Sequence, residues 1–128
     1  MEWRIELQGD GRLIRVSTSG PFQLRQQRQM FDELGAHPAF SPGLRVLFDN
    51  RKIDMSDSDV DVIRQSVDIV QEFMRKFHIE RLAGLVDQGV NFGVGRQFAT
   101  LTDIAGGHGF RLFKDEQLAL CWLRGEPL

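Results

Sequence analysis

Apolar and polar residues alternate over 3–8 (WRIELQ) and again over 12–18 (RLIRVST), with Gly9-Asp10-Gly11 between. A period of two marks half-buried strands, and the glycine-flanked link predicts a hairpin. Trp3, Ile5 and Leu7 then share one face, with Leu13 and other apolar residues opposite. Gly20-Pro21 predicts a helix start, because proline presets φ for the first helical position. The stripe Leu24, Gln27, Arg28, Met30, Phe31, Leu34 carries this helix to about Gly35, where His37-Pro38 closes it. Residues 44–48 (LRVLF) are nearly all apolar and end at Asp49, the pattern of a buried strand. After the polar link NRKIDM, Val60, Ile63, Val67, Val70, Met74 and Phe77 recur at steps of three and four. This seam predicts the longest helix, over about 56–77. Residues 81–86 (RLAGLV) predict a strand ending at Asp87, and 91 to about 105 a helix stopped by Gly106-Gly107. Residues 110–113 (FRLF) predict the last strand, and Asp115 caps a final helix carrying Leu118, Leu120, Cys121, Trp122 and Leu123.

The order is β-β-α-β-α-β-α-β-α. Alternation after the hairpin implies parallel strands joined by right-handed crossovers. The expected class is α/β: a mixed sheet of about five strands with about four helices, in one domain spanning residues 1–128.

Composition narrows the function classes. The 128 residues carry 16 Lys plus Arg against 18 Asp plus Glu, a net charge of −2. A nucleic-acid partner bound through bulk charge is disfavoured. No apolar run approaches the ~20 residues of a membrane span, and the N-terminus lacks the pattern of a secretory signal. A lone cysteine, Cys121, excludes an internal disulfide and any cysteine-based zinc cluster. A cytoplasmic location follows as the expectation. Ten Phe, two Trp and no Tyr make the aromatic set almost wholly apolar.

Catalytic and cofactor motifs are not completed. Asp57-x-Asp59-x-Asp61 imitates an EF-hand start, but Val62 stands where that loop needs glycine. Ser56-x-x-Asp59 reads instead as a capping-box-like helix start. Gly93-x-Gly95-x-x-Phe98 lacks the third glycine of a dinucleotide fingerprint. Neither a Walker sequence nor a Gly-x-Ser-x-Gly elbow occurs, and His37, His78 and His108 fall on unrelated elements. No cofactor and no metal is expected. Asp49 and Asp87, at strand carboxyl ends, could pair on Mg²⁺ in a phosphotransfer enzyme, but terminating strands and satisfying turn amides is the commoner use.

The run LRVLFD, a polar link and a Ser/Asp-started long helix, followed by RLAGLVD, the Arg96-x-Phe98 helix start and FRLFKDEQLALCWL, resembles the STAS domain in its SpoIIAA-like branch. The resemblance extends over nearly the whole chain. It implies a non-enzymatic regulatory domain that engages a protein partner, or a second copy of itself, through strand-end loops and the start of the second helix. STAS domains of anti-sigma antagonists carry a phosphorylated Asp-Ser-Ser-Gly turn at that place. Here Asp57-Ser58-Asp59-Val60 falls on it, so the second serine is Asp59 and the glycine is Val60. The implied partner surface is Asp49, Asn50, Arg51, Ser56, Asp57 and Ser58, with Ser58 and Ser56 as candidate phosphosites. The branch also resembles CRAL-TRIO lipid-binding domains in fold, which implies an apolar small molecule or lipid as an alternative ligand. Phe73, Phe77, Phe92 and Phe98, on the two middle helices, are the residues open to that role.

Overall fold

The computed structural model describes residues 1–9, 12–38, 40–41, 43–87, 96, 100 and 109–127. The elements are β1 (Glu2–Gln8), β2 (Leu13–Pro21), α1 (Leu24–Gly35), β3 (Arg45–Asp54), α2 (Val60–Lys76), β4 (Leu82–Leu85), β5 (Phe110–Phe113) and α3 (Glu116–Leu123). The five strands form one sheet in the order β1-β2-β3-β4-β5. β1 and β2 are antiparallel, and every later pair is parallel. The expected mixed sheet is therefore present. Three helices, not about four, occur among the described residues. The further helix expected over 91–105 lies mostly outside them, although Thr100 there donates its hydroxyl to the Arg96 carbonyl at 3.0 Å. No helix among the described residues is long and apolar enough to cross a membrane.

Strand alternation divides the apolar residues into two cores. Ile14, Val16, Val46, Phe48 and Leu82 meet Met30, Phe31 and Leu34 of α1 and Ile69, Val70 and Phe73 of α2. Leu47, Ala83, Leu85 and Phe113 face the other way and pack on Ala119 and Leu123 of α3. In β2 the residues opposite Trp3, Ile5 and Leu7 are Thr18, Val16 and Ile14. Leu13 instead packs against the α3 core, so the hairpin expectation placed it on the wrong face. Next to an alternating run, a one-residue error of parity moves a side chain through the sheet.

Other boundaries differ for local reasons. Pro21 ends β2, paired with Asp54, and does not open α1. The β1 ladder has stopped at Glu2–Ser19, so the missing proline N–H faces no strand. β3 continues through the expected polar link, because beyond the Asp49–Leu85 pair it has β2 alone as neighbour. A one-sided strand tolerates polar residues that a central one does not. α2 begins at Val60, not near Ser56: the Ser56 N–H donates to Asp54 Oδ1 at 2.9 Å and the Ser58 N–H to the Met55 carbonyl at 3.0 Å, forming a turn. Asp59 is the cap, its Oδ1 accepting from the Val62 N–H at 2.9 Å. Val60, placed in the apolar seam by its spacing, is instead 50% exposed. At the other end His78 takes the left-handed conformation, φ 54°, and closes a Schellman turn through Ile79 N–H to the Met74 carbonyl at 2.9 Å. The Asp115 cap of α3 is as expected, with Oδ1 accepting from Gln117 and Leu118.

Candidate functional site

The carboxyl ends of β2 and β3 carry different chemistry on the two faces of the sheet. Between Ser17 and Ser19 the β2–β3 register slips, with one extra residue on β3. Around this slip the successive residues Asp49, Asn50 and Arg51 divide. Asp49 and Arg51 join a charge network beside α3, whereas Asn50 lines a cavity on the α1/α2 side. The expected contiguous partner surface of Asp49, Asn50 and Arg51 is thus split, because neighbouring strand residues point to opposite faces.

The network has four members. Arg15 Nη2 donates to Asp49 Oδ2 and to Glu116 Oε1, both at 2.6 Å. Arg51 clamps Asp49 with Nε to Oδ1 at 2.9 Å and Nη2 to Oδ2 at 2.8 Å, and its backbone N–H adds a contact to Oδ1 at 3.2 Å. Burial alone would raise the Asp49 pKa, but the bonds from Arg51 and Arg15 outweigh it and hold the carboxyl down, from 3.8 to about 2. Both Asp49 oxygens are therefore committed to guanidinium groups and are unsuited to an incoming Mg²⁺. Asp87 is exposed. Among the described residues, no three His, Cys, Asp or Glu side chains converge on a possible metal position. Through Glu116 the network ties the first turn of α3 to the sheet.

The turn from β3 into α2 holds the remaining partner-surface residues. Ser56 and Asp57 are exposed and Ser58 is half-buried. Ser56 donates to Asp54 through both its hydroxyl and its N–H, which lowers the Asp54 pKa. Val60 emerges directly after the cap, and Asp54, Asp57, Asp59 and Asp61 are all exposed.

Of the four phenylalanines proposed for an apolar ligand, Phe92 and Phe98 lie outside the described residues. Phe73 and Phe77 are 4.9 Å apart between ring centroids. Phe31 lies 4.6 Å from Phe73, and Phe40 4.9 Å from Phe77. These rings fill one another's space at ordinary aromatic spacing. Phe73 and Phe77 also line an open groove of about 380 Å³, shared with Phe31 and the charged Arg28, Asp32, Glu72 and Lys76. A second, smaller cavity has a more apolar wall. It measures about 90 Å³, is partly open, and lies between the sheet and the two helices, with Met30, Phe31, Phe48, Val70 and Phe110 among its apolar walls. Its polar lining consists of Thr18, Gln27, Asn50 and Ser66. Thr18 Oγ1 donates to Asn50 Oδ1 at 2.6 Å. Thr18, Gln27 and Ser66 are 4%, 5% and 2% exposed, respectively. Thr18 and Asn50 stand at the strand carboxyl ends, where a sequence reading looks for ligands. The missed signal was a polar residue at a core position of each pattern: Thr18 after Ile14 and Val16, Gln27 within the α1 stripe, Ser66 within the α2 seam.

A solved structure with this architecture comes from Shewanella loihica PV-4, an uncharacterized protein of the DUF3478 family described as having a SpoIIAA-like fold. It superposes with a TM-score of 0.60 over 95% of this chain and 92% of that one, at 18% identity. The fold is SpoIIAA-like. This is the architecture of STAS domains that FRLFKDEQLALCWL and its companions suggested. At this identity the likeness is one of SpoIIAA-like architecture and carries no activity with it. No protein-family model and no curated protein matches the chain.

Proposed function

We propose that this SpoIIAA-like chain is a non-enzymatic binding domain that engages a protein partner through the β3–α2 turn and the first turn of α2. Val60 carries the reading. It is 50% exposed at the first position of α2, within a run that presents Asp54, Asp57, Asp59 and Asp61 to solvent. An exposed apolar residue in an acidic collar suits a partner offering an apolar contact with a basic rim. The surface narrows from the six residues expected to Ser56, Asp57 and Ser58, joined by Asp59 and Val60. Asp49 and Asn50 serve the network and the cavity.

The surface is read as constitutive. A phosphate on Ser58 or Ser56 would add about −1.5 to −2 charge, but Asp57 and Asp59 already supply fixed negative charge there. Quantitative affinity capture tests this, with variants first shown by thermal melting to be folded. Val60→Asp is expected to lose the partner, whereas Ser58→Ala and Ser58→Asp retain it. Retention by Val60→Asp contradicts the surface assignment. Loss with Ser58→Asp but not Ser58→Ala would make the turn a switch. Self-association is distinguished by light scattering, which would show a dimer mass that Val60→Asp abolishes.

A further inference from the structure

Gln27 is the only described residue with a buried side-chain nitrogen or oxygen atom that lacks a hydrogen-bond partner, and the atom is Oε1. It sits on the buried stripe of α1 between apolar neighbours, 5% exposed, and it lines the 90 Å³ cavity. A buried acceptor left unmet is costly, and a leucine of similar volume would occupy the position without that cost. The cavity supplies what such a group needs. It has room for a molecule, walls that are mostly apolar, and no ionisable side chain among its described lining residues. The other polar pair, Thr18 and Asn50, is already joined by its own hydrogen bond.

We propose that this cavity binds a small neutral molecule with an apolar body and one hydrogen-bond-donating head, and that Gln27 accepts from that head. Among the described lining residues the charged group is the Met1 ammonium, which donates to Gln26 Oε1 at 2.8 Å; with no ionisable side chain there, the desolvation of an ionised ligand is poorly offset. Size follows from volume: a partly open cavity of 90 Å³ holds a body no larger than about one aromatic ring. A small alcohol, phenol or primary amide meets these terms. The terminal torsion of a glutamine is broad, so a small turn of the carboxamide directs its oxygen to the ligand. The site is separate from the Val60 surface, so it stands or falls independently of partner docking.

Methionine methyl NMR on the full chain gives a direct test. Met30 and Met55 line the cavity, whereas Met74 packs beside Gly109 and serves as the control. Phenol, the probe, is expected to shift the Met30 and Met55 methyl signals saturably and leave Met74 in place. Toluene, of the same shape without the donor, is expected to bind about tenfold more weakly, the value of one hydrogen bond to a buried acceptor. Gln27→Leu is expected to remove that preference. No saturable shift with either probe, or equal affinity for the two in the native chain, overturns the proposal. The second result needs no variant, so the test survives a failure of Gln27→Leu to fold. A Gln27→Leu protein that folds and keeps the tenfold preference for phenol also overturns it.

Discussion

Asp49 is held ionised by two arginines, and the direction of its pKa fixes how it contributes to stability. The native carboxyl titrates at about 2, below its ordinary 3.8. Its contribution is full above about pH 4 and is lost as pH falls through 2, since the unfolded chain takes up the proton first. The side chain is 14% exposed but its partner Arg51 is 43% exposed, so solvent screens part of the interaction. Asp49→Asn is therefore expected to cost about 1–2 kcal/mol at pH 7, below the cost of breaking a wholly buried pair. Denaturant unfolding of both proteins at pH 7 and pH 2 checks this. The gap between them should narrow at the lower pH, and a constant gap would mean that the effect is steric and not one of charge.

At the scale of elements, the α1–α2 contact shows packing overriding propensity. A Cβ added to Gly35, the last residue of α1, would lie 2.6 Å from Phe77 Cζ and 2.9 Å from Cε2. That ring has little freedom to yield, with Phe40 and Phe73 each 4.9 Å away between centroids. Helix propensity favours alanine over glycine by about 1 kcal/mol, whereas overpacking costs about 1–3 kcal/mol. Gly35→Ala should therefore destabilise, and adding Phe77→Leu should recover part of the loss in denaturant unfolding. A more stable Gly35→Ala protein would show the ring to be free.

These elements also show what the sequence made legible. Period-two runs located β1 and β2, the 110–113 strand was placed to the residue, and Asp115 was recognised as a cap, because each signal was local. The polar half of β3 was read as a link because its pairing with β2 alone is a property of the sheet. The two sides of the β2–β3 register slip were likewise invisible, so Asp49 and Asn50 were read as one surface. Arg15 and Glu116 were missed because they are 101 residues apart in the chain and meet only through the sheet. Gln27, Thr18 and Ser66 were visible as polar residues in apolar patterns, but only their convergence on a cavity gives that meaning.

At the scale of the whole molecule, the sheet separates three tasks. Its α3 side holds a charge network that fastens a helix, its α1/α2 side holds the cavity, and the turn into α2 presents Val60. The last sets an exposed apolar residue among four exposed aspartates, and it is where we place the protein partner. The most direct measurement is site-specific photo-crosslinking in cells, with the reactive amino acid at position 60 and, as a control, at exposed position 2 on β1. A discrete crosslinked protein is expected from position 60 that position 2 does not give. The same products from both positions, or none from position 60, would contradict it.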